Sequence, residues 1–358
     1  MSASENAPML AGLLRRTLCP TPMQTLLLKA CLDGDLEAWE RWSRAVGDPK
    51  SELGNDTTGI KRLVPLLYTS LRNSGAPLGA EFLSYLRAAY MREDLRSRTF
   101  RRVCAEALGV LAEAEIPFVV LKGVSLAESA YPAWALRHCH DVDLLVGRGA
   151  LSGAVGVLRE FRVYSGDKNN TTLVHPTHLP VSFHVRLFED YENPAGVYEE
   201  ALETSITGVN VRVLAPHHEL LHLCVHAASN PSRRMLLWVA DAIHLLRQAP
   251  SLDWKTLVDA AQGMALPTYV MLSYLREEIG ADVPAFVSEA LARPANCNRG
   301  KALRGAATTA GYRGLIREAK GGREKIWAVG WCTGQIPAFC GRRMKRSGES
   351  AREKKEGE

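Results

Sequence analysis

The sequence lacks several features that would place the protein in a specialised class. It has no apolar run of the roughly 18 residues that a transmembrane helix needs. No basic segment leads into an apolar stretch near Met1, so we expect no secretory signal. The eight cysteines form no Cys-x-x-Cys pair, and scattered thiols in a chain of 358 residues favour a reduced, cytoplasmic protein over a disulfide framework.

Most of the chain also carries little net charge. The formal net charge is +5, and residues 341–358 contribute seven basic and four acidic side chains, a net of +3. The rest of the chain therefore carries only +2. Because a duplex-binding surface must neutralise many phosphates, we expect no duplex nucleic acid as a partner. The 46% hydrophobic and 23% charged content is ordinary for a soluble globular protein.

Two short apolar runs flank a small, polar segment. Residues 118–121 and 141–146 read as strands, and Lys122-Gly123 follows the first of them. We expect Gly123 to permit a backbone turn that a residue with a Cβ resists. A short helix after this turn would direct free N–H groups towards an anion such as phosphate.

The second strand opens with two acids. Successive side chains on a strand alternate between its faces, so Asp141 and Asp143 are predicted to point the same way, about 7 Å apart. Paired carboxylates suit a hard cation such as Mg²⁺. The simpler alternative is a surface strand that starts with solvated acids. A phosphate cradle beside a metal site indicates nucleotide chemistry.

These residues carry a resemblance to a known family. The matching pattern is Leu121-Lys122-Gly123, Tyr131, Arg137 and Asp141-x-Asp143-Leu144-Leu145-Val146. It resembles the nucleotidyltransferase superfamily with the polymerase-β-like core, and more closely the branch labelled uncharacterised bacterial nucleotidyltransferases, over roughly residues 20–290. The resemblance implies an α+β fold, a small mixed sheet with helices, flanked by helical N- and C-terminal regions.

The resemblance also implies a reaction. A nucleoside monophosphate would pass from a nucleoside triphosphate (NTP, ATP among them) to a hydroxyl of a small molecule, sugar, peptide or protein, with release of pyrophosphate and with Mg²⁺ or Mn²⁺ as cofactor. The implied site comprises Asp141 and Asp143 as catalytic metal ligands, Lys122, Gly123, Ser125 and Arg137 at the nucleotide, and His184 and Arg186 on the substrate side. For Arg137 an ion pair, with Asp141 or of a purely structural kind, is an open alternative.

The third acid of the superfamily is missing from its expected position. The resemblance places it two residues before His184, where this chain has Ser182, which is a poor cation ligand and no base. Glu189 and Asp190 follow, but they would need another strand register. A second interpretation is therefore a catalytically degenerate nucleotide-binding or scaffold protein.

A third interpretation, less favoured, is a zinc hydrolase. His218-Glu219-x-x-His222 has the zinc-protease spacing, which places both histidines on one helical face, with Asp241 as a further ligand. Pro216 puts His218 in the first helical turn, so a helix that begins with solvated histidines is the favoured alternative. Residues 138–140 read as a loop that delivers Asp141, because adjacent residues rarely chelate one ion together.

We divide the chain into five segments. They are an irregular lead-in (1–20), a helical N-terminal region (21–100), the α/β core (101–215), a helical C-terminal region (216–325) and an apolar segment with a basic tail (326–358). The last segment is of a kind that contacts an anionic membrane surface or a protein partner. Packing of its apolar part on the core, with a frayed tail, is the favoured alternative.

Overall fold

The computed structural model describes residues 3–54, 59–188, 193–229, 236–261 and 264–292. Its helices are α1 (Ala3–Leu18), α2 (Pro22–Asp33), α3 (Leu36–Val46), α4 (Pro49–Gly54), α5 (Val64–Asn73), α6 (Ala80–Glu113), α7 (Lys122–Ser129), α8 (Leu151–Val157), α9 (Pro216–Ser229), α10 (Leu237–Gln248), α11 (Trp254–Ala261), α12 (Ala265–Tyr274) and α13 (Ala285–Ala292). Its strands are β1 (Phe118–Leu121), β2 (Val142–Val146), β3 (Arg162–Gly166), β4 (Asn170–Val174), β5 (Pro180–His184), β6 (Leu202–Ile206) and β7 (Val209–Val213). Glu189, Asp190 and segment 326–358 lie outside the described residues.

All seven strands form one mixed sheet in the order β3-β4-β5-β2-β1-β7-β6. The central strands β1 and β2 are antiparallel, whereas β5 runs parallel to β2 and β7 runs parallel to β1. The remaining neighbours pair antiparallel. Together with the surrounding helices, this sheet confirms the predicted α+β fold class. In the parts of the chain described above, no helix is both long and apolar enough to cross a bilayer.

Both faces of the central strands are covered, which explains why their residues other than Asp143 are apolar. Phe118 and Val120 of β1 face a core formed with the second half of α6. Val119 and Leu121 face a larger core that includes helices from both ends of the described chain. Asp143 of β2 occupies the same face as Leu145, which belongs to this larger core. Asp143 therefore lies between the sheet and the helices of the larger core.

The predicted irregular lead-in is wrong for most of its length, because Ala3–Leu18 is helix α1. The buried residues Leu13, Leu14 and Leu18 form a short apolar stripe near its end and join the larger core. Burial of this stripe stabilises the helix more than its weak periodicity indicates.

Helix α6 spans 34 residues without a break. The predicted boundary between residues 100 and 101 falls inside it. Leu86, in its first half, packs in the larger core, and Phe100 and Leu108, in its second half, pack beneath the sheet. The helical N-terminal region and the α/β core therefore share one element.

Candidate active site

The turn that joins β1 to α7 differs in one respect from the prediction. The residue in the left-handed region is Lys122, with φ of +49°, and Gly123 does not have a positive φ. A left-handed conformation at a non-glycine residue costs about 1 kcal/mol. Gly123 is needed for close approach instead: a Cβ there would lie 2.6 Å from Nη1 of Arg137.

Asp143 is the centre of a buried ionic cluster. Its Oδ2 lies 3.1 Å from Nζ of Lys122, and its Oδ1 lies 2.7 Å from Nε2 of His184. The residue is only 6% exposed. Burial alone would raise the pKa of Asp143, but the charge of Lys122 and the hydrogen bond with His184 outweigh it and hold that pKa well below its usual range. Asp143 is therefore ionised at neutral pH.

Asp141 precedes β2 and has a more exposed side chain. Burial, and then the negative charge of Asp143, raise the pKa of Asp141 to about 6, although Lys122 opposes them. Oδ2 of Asp141 lies 3.5 Å from Nε2 of His140, whose own pKa burial lowers to about 4. The two predicted acids thus interact as like charges within one site.

Strand β5 supplies the neighbours of Asp143. In the parallel pairing of β2 and β5, Ser182 lies directly opposite Asp143, and Leu145 lies opposite His184. The Ser182 hydroxyl lies 3.1 Å from Oγ1 of Thr172. The position predicted for a third carboxylate is therefore next to Asp143, and it holds a hydroxyl.

His184 connects two strands through its ring. Its Nε2 faces Asp143, and its Nδ1 lies 3.0 Å from Oδ1 of Asn170 on β4. With one ring nitrogen bound on each side, the imidazole has a fixed orientation. Arg186, also predicted on the substrate side, is half-buried just after β5, and Ser125 is buried within α7.

Arg137 forms a buried ion pair with Asp241 of α10. Its Nε and Nη2 donate to the two carboxylate oxygens at 3.1 and 2.7 Å, and its Nη1 donates to the carbonyl of His138 at 2.7 Å. The Tyr131 hydroxyl donates to Oδ1 of Asp241 at 2.8 Å. Of the alternatives left open for Arg137, the structure shows an ion pair whose partner is Asp241. Its predicted contact with nucleotide stays a prediction.

One face of α9 lies against this cluster and was not predicted. Glu219, His222 and His226 are spaced by three and four residues, so they share a helical face. Burial, and then the charge of Asp241, raise the pKa of Glu219 to about 8. The charge of Lys122 is the largest cause that lowers the pKa of His226 to about 3, and burial is the second. Burial is the largest cause for His222, whose pKa lies well below its usual value.

The sequence model of the family described as "Uncharacterised nucleotidyltransferase" matches residues 60–276, more than half of the chain. The chain belongs to this nucleotidyltransferase family. The match includes Lys122, Asp141, Asp143 and His184, so the family predicted from the motif is confirmed. No curated protein matches this chain.

A solved structure is also similar to this chain. It is the crystal structure of an antigenic nucleotidyltransferase-like protein from Paracoccidioides brasiliensis. The likeness covers 53% of this chain and 91% of that chain, at 12% sequence identity and a TM-score of 0.32. Likeness at this level says nothing about substrate or mechanism.

Among the described residues, the His-Glu-x-x-His motif does not form the zinc site of the less favoured third interpretation. Asp241, the expected further ligand, is bound by Arg137 and Tyr131. Among the residues whose placement is described, the metal-binding donor atoms that gather around His218 come from His217 and Glu200, and His222 is not among them.

Proposed function

We propose that the protein is a Mg²⁺- or Mn²⁺-dependent enzyme that transfers a nucleoside monophosphate from an NTP to an acceptor hydroxyl and releases pyrophosphate. The observation that carries this proposal is the contact of Lys122 Nζ with Asp143 Oδ2 at 3.1 Å. It places an acid on β2 next to the start of α7, and the N-terminal end of a helix favours an anion such as phosphate. Membership of the nucleotidyltransferase family supports the general reaction.

The acids fit a hard divalent cation. Asp141 and Asp143 supply oxygen donors, which Mg²⁺ and Mn²⁺ prefer. Burial, and then the negative charge of Asp143, raise the pKa of Asp141, and a bound cation would offset the repulsion between the two charges. Asp141 and Asp143 are the residues that would hold the cation. When bound, it would neutralise phosphate charge and lower the pKa of the acceptor hydroxyl.

The remaining side chains have separate roles in the proposal. Lys122 neutralises Asp143 in the free protein, and its flexible ammonium is free to turn towards a phosphate oxygen when nucleotide binds. His184 orients Asp143 through Nε2 while Asn170 holds the other side of its ring. Ser182 is no base. The proton of the acceptor hydroxyl is therefore taken up by another group of the acceptor, by a phosphate oxygen or by solvent.

In the proposed reaction the acceptor oxygen forms a bond to the α-phosphorus. The bond between that phosphorus and the oxygen bridging to the β-phosphate breaks, and its electron pair leaves with pyrophosphate. The second candidate, a nucleotide-binding scaffold without turnover, is favoured by one observation. The position next to Asp143 holds the hydroxyl of Ser182 where a carboxylate is expected.

The test uses α-³²P-labelled NTPs with Mg²⁺ and a fractionated lysate as the source of acceptor. We expect label transfer and pyrophosphate release that disappear in Asp143→Asn and persist in the control Asp259→Asn, an exposed substitution on α11. Magnesium-dependent NTP binding without label transfer would favour the scaffold. If the protein neither binds any NTP nor transfers label from one, both candidates are contradicted.

A further inference from the structure

A second group of metal-binding side chains lies at the start of α9. His217 and His218 occupy its first turn, and Glu200 precedes β6. Nε2 of His217 lies 2.7 Å from Oε2 of Glu200, and Nε2 of His218 lies 3.3 Å from the same oxygen. Adjacent residues rarely chelate one ion together, but here both Nε2 atoms lie against one carboxylate oxygen, with the ring centroids 4.3 Å apart.

His218 is the unusual member of this group. Its side chain is 0% exposed, its Nδ1 has no hydrogen-bond partner among the residues that the structure describes, and its Nε2 contacts Oε2 of Glu200 at 3.3 Å. Buried polar groups are almost always hydrogen-bonded, so a buried imidazole with one unpartnered nitrogen requires an explanation. Burial, and then the charge of His217, lower the pKa of His218.

The spacing of the donor atoms suits a tetrahedral cation. Bonds of about 2.0–2.1 Å at tetrahedral angles place two ligand atoms about 3.3 Å apart. The separation between His218 and Glu200 already has this value. The separation between His217 and Glu200 would have to open by about 0.6 Å. The Glu200 side chain is 43% exposed, so it has room for this adjustment.

The backbone before β6 holds Glu200 in place. Glu200 N–H donates to the carbonyl of Gly196 at 2.8 Å, and Gly196 has φ of +80°. A Cβ at Gly196 would collide with the Glu200 carboxylate. A residue with a side chain at this position would therefore displace the carboxylate from the two histidines.

We propose that Glu200, His217 and His218 form a site for a borderline divalent transition metal, with Zn²⁺ as the expected occupant and one coordination position open to solvent. Two imidazoles and one carboxylate are a donor set that zinc favours, whereas Mg²⁺ prefers oxygen ligands. The bound metal would fix the first turn of α9 to the segment that precedes β6. The site shares no donor with Asp141 or Asp143, so it stands independently of the proposed reaction.

The test is a zinc titration of the full-length, chelator-stripped protein by calorimetry. It is done in an Asp141→Asn/Asp143→Asn background, so that the acidic pair does not take up metal. We expect one saturable Zn²⁺ per chain, and Glu200→Gln and His217→Ala each to weaken it by more than about tenfold. Because protonated imidazoles do not bind metal, zinc affinity should also fall at acidic pH.

His222→Ala is the matched control, because it removes the other histidine of the His-Glu-x-x-His motif and none of the three proposed ligands. We expect it to leave zinc affinity unchanged, and Co²⁺ to give the absorption spectrum of a tetrahedral site that Glu200→Gln abolishes. No saturable binding, or binding that survives Glu200→Gln, would overturn the proposal. Loss of binding in His222→Ala with retention in His217→Ala would also overturn it, in favour of the motif. Melting curves of each variant establish that it is folded.

Discussion

Removal of the Arg137 side chain should destabilise the protein severely. Arg137 is 8% exposed and its partner Asp241 is 2% exposed, and their two hydrogen bonds measure 2.7 and 3.1 Å. Among the residues that the structure describes, Arg137→Ala leaves the buried carboxylate with the hydroxyl of Tyr131 as its one remaining hydrogen-bond donor. Loss of one partner from a buried pair costs about 3–5 kcal/mol. We expect a loss within that range, because one donor remains.

The assay is equilibrium urea unfolding of four proteins: wild type, Arg137→Ala, Asp241→Leu and the double variant Arg137→Met/Asp241→Leu. Apolar replacement of both partners removes the unpaired charge, so the double variant should be more stable than Arg137→Ala. The control Lys50→Ala breaks an exposed pair with Glu81 and should leave the unfolding free energy nearly unchanged. An Arg137→Ala loss below about 1 kcal/mol, the range of surface pairs, would refute this reasoning.

Gly123→Ala should lower both stability and nucleotide binding, measured by urea unfolding and calorimetry, because its Cβ would lie 2.6 Å from a guanidinium nitrogen that the buried ion pair holds in place. Ser182→Asp places a third carboxylate opposite Asp143, so Mg²⁺ should raise the melting temperature of this variant more than that of the wild type. Glu219 has a folded pKa of about 8, above its ordinary 4.5, so the folded state keeps a proton that the unfolded state has released. Wild-type stability should therefore fall as pH rises from about 5 to 8, and Glu219→Gln should gain about 1.4 kcal/mol relative to wild type per pH unit in urea unfolding.

Each of these predictions has a result that contradicts it. Full stability in Gly123→Ala would mean that the guanidinium moves away easily. An equal Mg²⁺ response in Ser182→Asp and wild type would mean that position 182 does not face the cation. Parallel pH profiles for Glu219→Gln and wild type would mean that Glu219 is ionised in the folded protein.

The central part of the fold could be predicted from the sequence because its signals are local. The apolar runs of β1 and β2 are long enough to indicate strands, and Asp-x-Asp marks the start of the second. Strand alternation also predicts that Ser182 and His184 share one face, and the structure places Ser182 directly opposite Asp143.

The exposed strands escaped prediction because they bury little. All five residues of β3 are exposed, so this strand has no alternation of apolar and polar burial. It is defined by its pairing with β4 and by a turn in which Asp167 accepts hydrogen bonds from the N–H groups of Asn169 and Asn170. Such a turn is visible in sequence, but the strands on either side of it are not.

The longest-range parts of the site could not be read from the sequence. Arg137 and Asp241 are 104 residues apart, and only the packing of α10 against α7 and its neighbours brings them together. The contribution of α9 had a weak signal, the helical spacing of Glu219, His222 and His226. This spacing is also that of a core-facing stripe, so it does not distinguish a buried histidine from one beside Lys122.

The unbroken α6 makes the two cores mechanically interdependent. At 1.5 Å per residue its 34 residues extend about 50 Å, and each half lies against a different core. A fragment that starts at residue 101 would keep the sheet but lose the part of α6 that packs against the N-terminal helices. We therefore expect the two cores to fold as one cooperative unit. A movement of the N-terminal helices would also shift α6 and so reach the back of the strands that carry the acids.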